Sequence, residues 1–125
     1  MASEWYKRHF ARLKAEQIIM AERFPQFVLK KANRTLYWEG ILLTNFGTYY
    51  RIEIVYPDNY PYQRPRFRVT EPRIRSDSPH RFVNGNLCVY PDHWSHKRCT
   101  APAGVPLVAS WLAMYEIWLR TGKRW

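Results

Sequence analysis

The chain has 125 residues, twenty Lys and Arg against ten Asp and Glu for a formal charge of +10, and six Trp, nine Tyr and six Phe. A chain of that size is near the commonest length of one domain and buries enough surface to fold without a disulfide or a metal. No run reaches the ~18 apolar residues of a membrane span. The charged opening MASEWYKRHFARLKAEQ also lacks the apolar stretch of a secretory leader, so we expect a cytoplasmic protein whose two cysteines are free thiols.

Residues 3 to about 24 read as one amphipathic helix, capped by Ser3, with Tyr6, Phe10, Leu13, Met20, Ala21 and Phe24 at helical spacing and Gln17 as the polar exception. Pro25 ends it. Strand-like runs follow at 27–32, 36–46 and 48–56, the last with Tyr50, Ile52, Ile54 and Tyr56 alternating against Arg51, Glu53 and Val55. Asn45-Phe46-Gly47 supplies the hairpin turn between the last two runs. In YPDNYPYQRP, Tyr56, Tyr60 and Tyr62 interleave with Pro57, Pro61 and Pro65, which makes a stiff, shaped loop and no strand.

RFRVTE at 66–71 is the fourth strand. Arg64, Arg66 and Arg68 alternate with Pro65, Phe67 and Val69, the pattern of a half-buried edge strand whose outer face is basic and suited to binding a partner. From Pro72 to about Pro106 there is little periodicity, yet Phe82, Leu87, Val89, Tyr90 and Trp94 argue for an ordered loop region, and loops that long are usually functional. A closing helix begins with Pro106 in its first turn. It buries Leu107, Trp111, Tyr115 and Trp118 together with Val108, Leu112 and Leu119, and stops at Gly122. A helix, an antiparallel four-stranded meander, a long loop region and a second helix make an α+β fold in a single domain.

The charge favours acidic partners: nucleic acid, an acidic protein surface or anionic lipid. Its dispersion along the chain, with no nucleic-acid-binding motif, places nucleic acid behind a protein partner. The richest chemistry lies in HRFVNGNLCVYPDHW, residues 80–94. Cys88, His93, His96 and Cys99 are all ligand types that zinc accepts, but the paired spacing of zinc knuckles and fingers is missing. Cys88 between Leu87 and Val89 also fits a buried small hydrophobe. As a nucleophile, it would stand just after the turn Asn84-Gly85-Asn86. Cys99, in HKRCTAPAG, has no motif around it and reads as an incidental loop thiol.

In order and spacing these pieces resemble the ubiquitin-conjugating enzyme (UBC-like) family. The resemblance is closest to its bacterial members from anti-phage cyclic-nucleotide signalling operons of the CBASS type. It rests on the N-terminal helix, the YWEG opening of a strand, the Tyr-Pro loop, His80, the NGNLCVY segment, Trp94 and the closing SWLAMYEIWLRTG. It implies a UBC-like fold and a thioester on Cys88, formed with the C-terminus of a ubiquitin-like or partner protein and passed to an amine. It also implies neither metal nor organic cofactor. The implied partners are a ubiquitin-like protein or the C-terminus of a cyclic-nucleotide synthase, together with an activating enzyme.

The family's His-Pro-Asn triplet is His80-Arg81-Phe82 here, and the segment to Cys88 is short, so only His80 carries over. Asn84 and Asn86 are the nearest amides for an oxyanion, and Asp92 or His93 the nearest groups to orient or deprotonate an amine. Two other classes stay open: a non-catalytic adaptor of the same fold, and a basic nucleic-acid-binding domain.

Overall fold

The computed structural model describes residues 4–82, 84–89 and 99–125. Two helical segments, α1 (Trp5–Arg8) and α2 (Phe10–Arg23), lead into strands β1 (Val28–Ala32), β2 (Thr35–Leu43), β3 (Tyr49–Val55) and β4 (Arg66–Glu71), and the chain closes with α3 (Ala101–Thr121). The strands form one antiparallel sheet in the order β1-β2-β3-β4, which makes β4 an edge strand, as its alternation predicts. Between β2 and β3 the turn closes through Gly47 N–H to Thr44 O at 2.9 Å, with Gly47 at φ 86°. A residue with a Cβ is strained in that left-handed region.

Period-two alternation sorts the sheet into two faces. Leu36, Trp38, Tyr50, Ile52, Ile54 and Phe67 are buried in one cluster with Leu13 and Met20 of α2 and Val105, Val108, Trp111 and Leu112 of α3. Glu53, Arg66 and Arg68 lie on the opposite face. One close approach fixes how α3 sits on the edge strand. A Cβ built on Gly104 would fall 1.9 Å from Cζ of Phe67, so only glycine lets the helix backbone lie against that ring.

Three expectations need correction. The N-terminal helix is broken at His9, which takes φ −122° and ψ 48° and caps α2. Tertiary packing overrides the helical pattern there. Trp5 is buried against Tyr56 and Tyr60, with ring centroids 4.7 and 4.8 Å away, and His9 lies edge-on to Tyr62. The buried positions of α2 are therefore Leu13, Glu16 and Met20, while Phe10 is 64% exposed and Ala21 is also exposed. Ser3 falls outside the described residues.

Second, α3 starts at Ala101 and not at Pro106. The Thr100 side chain accepts from Ala103 N–H at 3.1 Å, Pro102 occupies the first turn, and Pro106 lies inside the helix. Third, Leu119 is 40% exposed, while Glu116 is buried beside Tyr115 and Trp118 and accepts from the Tyr50 hydroxyl at 3.3 Å.

One buried carboxylate ties the scaffold together. Glu16, 2% exposed, accepts from the hydroxyls of Tyr56 at 2.8 Å and Tyr60 at 2.5 Å and from Ala101 N–H at 3.1 Å. Arg12 Nε stands 3.3 Å from the same group, and Tyr56 in turn accepts from Trp38 Nε1 at 2.9 Å. Thus α2, β2, the end of β3, the Tyr-Pro loop and the start of α3 meet at one acceptor. Burial, reinforced by the Glu16 charge, pushes both phenols well above their ordinary ionisation range. Among the described residues no helix is long and apolar enough to cross a membrane.

Candidate functional site

Cys88 stands on a small hairpin folded back against β4. Phe82 N–H donates to Asn86 O at 2.9 Å, Gly85 N–H to Phe82 O at 2.9 Å, and Cys88 N–H to His80 O at 2.9 Å. Arg81 and Leu87 form the bridge between. The turn is built as its residues predict: Gly85 adopts φ 92°, and the Asn84 side-chain oxygen accepts from Asn86 N–H at 3.0 Å. Leu87, buried, donates its N–H to Phe67 O at 2.7 Å, which fastens the hairpin to β4. The ring of Phe67 is the one seated on Gly104, so α3, β4 and the residue before Cys88 are connected in series.

His80 is a junction, through its main chain. It takes a positive φ of 54°, and its carbonyl accepts from both Cys88 N–H and Trp111 Nε1–H, each at 2.9 Å. Its imidazole is engaged elsewhere. Nε2 meets the main-chain oxygen of Trp125, and the two rings lie 5.3 Å apart, with the Trp125 indole edge-on to Trp111 at 5.6 Å. Trp111, Trp125 and the Phe67 carbonyl are the supporting groups that sequence reasoning missed. Trp111 had shown only as a core-facing helix residue, and an acceptor on the main chain leaves no mark in the sequence.

The thiol is half-buried and free, whereas Cys99 is 5% exposed, so the second cysteine is a core residue and no incidental loop thiol. A cavity of about 50 Å³ beside Cys88 is lined by Arg64, Pro65, Arg66, Phe82, Asn86 and its neighbours Leu87 and Val89. Asn86 therefore stands at the thiol's own cavity. Asn84 is exposed, and its side-chain oxygen is committed to the turn. A broader groove of about 640 Å³ continues over the outer sheet face, past Tyr37, Glu53, Arg66, Arg68, Asn84 and Asn86.

The three arginines differ in their surroundings. Arg68 Nε is held by Glu53 at 2.7 Å, while Arg64 and Arg66 are exposed beside the thiol's cavity. Asp92 and His93, and His96 and Trp94 with them, lie outside the described residues. Among the described residues no three His, Cys, Asp or Glu side chains gather as a metal site would require.

Chemically, the arrangement offers a partly exposed thiol whose own N–H is fixed, a side-chain amide close by and two guanidinium groups at the rim. No curated protein matches the chain. The family described as type II CBASS E2 protein matches residues 16–125, which takes in the whole sheet, the Cys88 hairpin and α3. The chain belongs to that CBASS-associated, E2-like family.

Proposed function

We propose that the chain is a single UBC-fold domain acting as a cysteine-dependent acyltransferase in the cytoplasm. It forms a thioester on Cys88 with the C-terminus of a ubiquitin-like protein or of a cyclic-nucleotide synthase, as part of anti-phage defence. The observation that carries the reading is the contrast between the two thiols: Cys88 is accessible at a cavity on a braced hairpin, and Cys99 is in the core.

In the first step the Cys88 thiolate attacks an activated acyl carbonyl. The new C–S bond forms as the bond to the leaving group of the activated donor breaks. In the second, an amine attacks the thioester, the C–S bond breaks, Cys88 leaves as thiolate, and the ammonium proton passes to a base. The Asn86 amide is the favoured donor to the oxyanion on grounds of position, worth about 3 kcal/mol where such a donor operates. Asn84 is the second choice, and Asp92 or His93 are the groups for orienting the amine. In this reading His80 acts through its carbonyl, as a positioning residue for Cys88. Arg64, Arg66 and Arg68 form the partner-facing basic surface. The chemistry proposed uses no metal or organic cofactor.

The test is intact mass of the protein purified with its operon neighbours, with and without reductant or hydroxylamine. A thiol-sensitive adduct is expected, lost in Cys88→Ala and kept in Cys99→Ala. An adduct unchanged in Cys88→Ala overturns the reading. The adaptor reading draws on Phe82, an exposed apolar side chain where the related triplet has its amide. Full biological activity of Cys88→Ala would establish it instead.

A further inference from the structure

Resting on the thioester reading of Cys88, we infer that Trp125 is a positioning residue for acyl transfer. Packed against both Trp111 and His80, it holds His80 in the backbone conformation that fixes Cys88.

The segment after α3 is shaped for this contact. Gly122 takes φ 72° and ends the helix in the left-handed region, its N–H donating to Trp118 O at 2.8 Å. Lys123 N–H then donates to the Thr121 hydroxyl at 3.1 Å. The chain thereby turns back, and the Trp125 ring meets Trp111 about three turns before the end of the helix. Trp111 is a firm seat, because it is buried and stacks on Tyr115 with ring centroids 5.3 Å apart.

His80 gives the contact its consequence. At φ 54° it occupies a region where a residue with a Cβ is strained, and such a conformation persists only where neighbours hold it. Among the described residues three groups do so. Cys88 N–H and Trp111 Nε1–H hold its carbonyl, and Trp125 holds its ring, at a centroid distance of 5.3 Å. The main-chain oxygen of Trp125 can only accept, so the imidazole Nε2 facing it carries the hydrogen.

Without the Trp125 ring, His80 relaxes toward negative φ, and its carbonyl swings away from Cys88 N–H. The thiol then becomes easier for a small reagent to reach, yet it is no longer held beside the Asn86 amide that shares its cavity. Two effects of opposite sign follow, which a general loss of stability does not produce.

The experiment uses the Cys99→Ala protein and compares two rates at Cys88 by intact mass. One is alkylation by iodoacetamide, and the other is acyl transfer from a short peptide thioester of a small alkyl thiol. In the transfer, the Cys88 thiolate attacks the thioester carbonyl, one C–S bond forms as the other breaks, and the alkyl thiolate leaves with no redox change. Trp125→Ala should raise alkylation about fivefold and lower acyl transfer by a similar factor, following the population of the opened hairpin.

Trp125→Phe keeps a ring and should restore both rates. His80→Asn tolerates positive φ and keeps the carbonyl but loses the imidazole, so it should reproduce both changes. Adding Trp125→Ala to it should move neither rate further. Tyr50→Phe, which breaks a buried contact with Glu116 away from the hairpin, should leave the ratio of the two rates unchanged. Should Trp125→Ala fail to fold, His80→Asn carries the same pair of expectations. Rates that stay constant or move together in these variants overturn the inference and leave the thioester reading standing. Additive effects of His80→Asn and Trp125→Ala overturn the route through His80. A parent protein that alkylates at Cys88 but accepts no acyl group overturns the thioester reading and the inference with it.

Discussion

Two acceptors in this molecule each gather elements distant in sequence, and they differ in depth. Glu16 is fully buried and collects two phenols, a helix N-terminal amide and a guanidinium. The His80 carbonyl, on an exposed residue, collects two donors among the described residues, Cys88 N–H and Trp111 Nε1–H. A buried acceptor with several donors cannot be lost without stranding all of them away from water, whereas the carbonyl of the exposed His80 can take water when a donor is released. The first junction therefore sets whether the chain folds, and the second sets where the thiol stands once it has folded.

The sharpest way to break that contrast is Glu16→Ala. It strands the Tyr56 and Tyr60 hydroxyls and Ala101 N–H, and should cost about 3–5 kcal/mol in denaturant unfolding. A loss below 1 kcal/mol would mean that Glu16 does not hold the scaffold together.

Alkaline pH attacks the same knot. Both phenols titrate above their unfolded value of 10.0, so the stabilisation is complete below pH 10 and declines as pH rises above it, because only the unfolded chain readily gives up those protons. The slope is about 1.4 kcal/mol per pH unit for each phenol. Stability measured between pH 8 and 11 should be flat and then fall; the Tyr50 phenol, raised by burial and by Glu116, adds to the slope, so Tyr60→Phe should remove about a third of it.

Gly104→Ala acts between the two regions. The new methyl collides with the Phe67 ring, so about 1–3 kcal/mol of stability should be lost on thermal unfolding. Phe67 also carries the carbonyl that holds Leu87, so the Cys88 hairpin should loosen with it.

The smallest global effect belongs to Trp111→Phe, which removes the indole N–H from the His80 carbonyl. About 1 kcal/mol is expected, felt by the hairpin more than by the core. In the Cys99→Ala background the alkylation rate of Cys88 should rise about fivefold, following the population of the opened hairpin. A rate that tracks global stability across all these variants would erase the distinction between the two junctions.

Sequence reasoning recovered the elements whose cause is local. The alternation of Tyr50, Ile52, Ile54 and Tyr56, the turn at Gly47, the bounds of β4 and the outward arginines all follow from a period of two or from turn chemistry. The features it missed have causes at a distance. Glu16 is buried because tyrosines forty and more residues away turn their hydroxyls toward it, and nothing in α2 alone announces that. Pro106 has the mark of a first-turn proline and so suggests a late start for α3, whereas Thr100 and Pro102 together begin the helix at Ala101. At the candidate site, the turn around Gly85 was legible and the brace was not, since His80 contributes a carbonyl that every residue type possesses.

The bond from Leu87 N–H to Phe67 O has a further consequence, unrelated to chemistry at the thiol. Edge strand β4 would otherwise present that carbonyl as a template for a foreign strand, and an uncovered edge is a seed for self-association. The hairpin that displays Cys88 thus also covers part of the β4 edge. A variant of this loop that precipitates has lost that cover, and its insolubility says nothing about whether the cysteine can react.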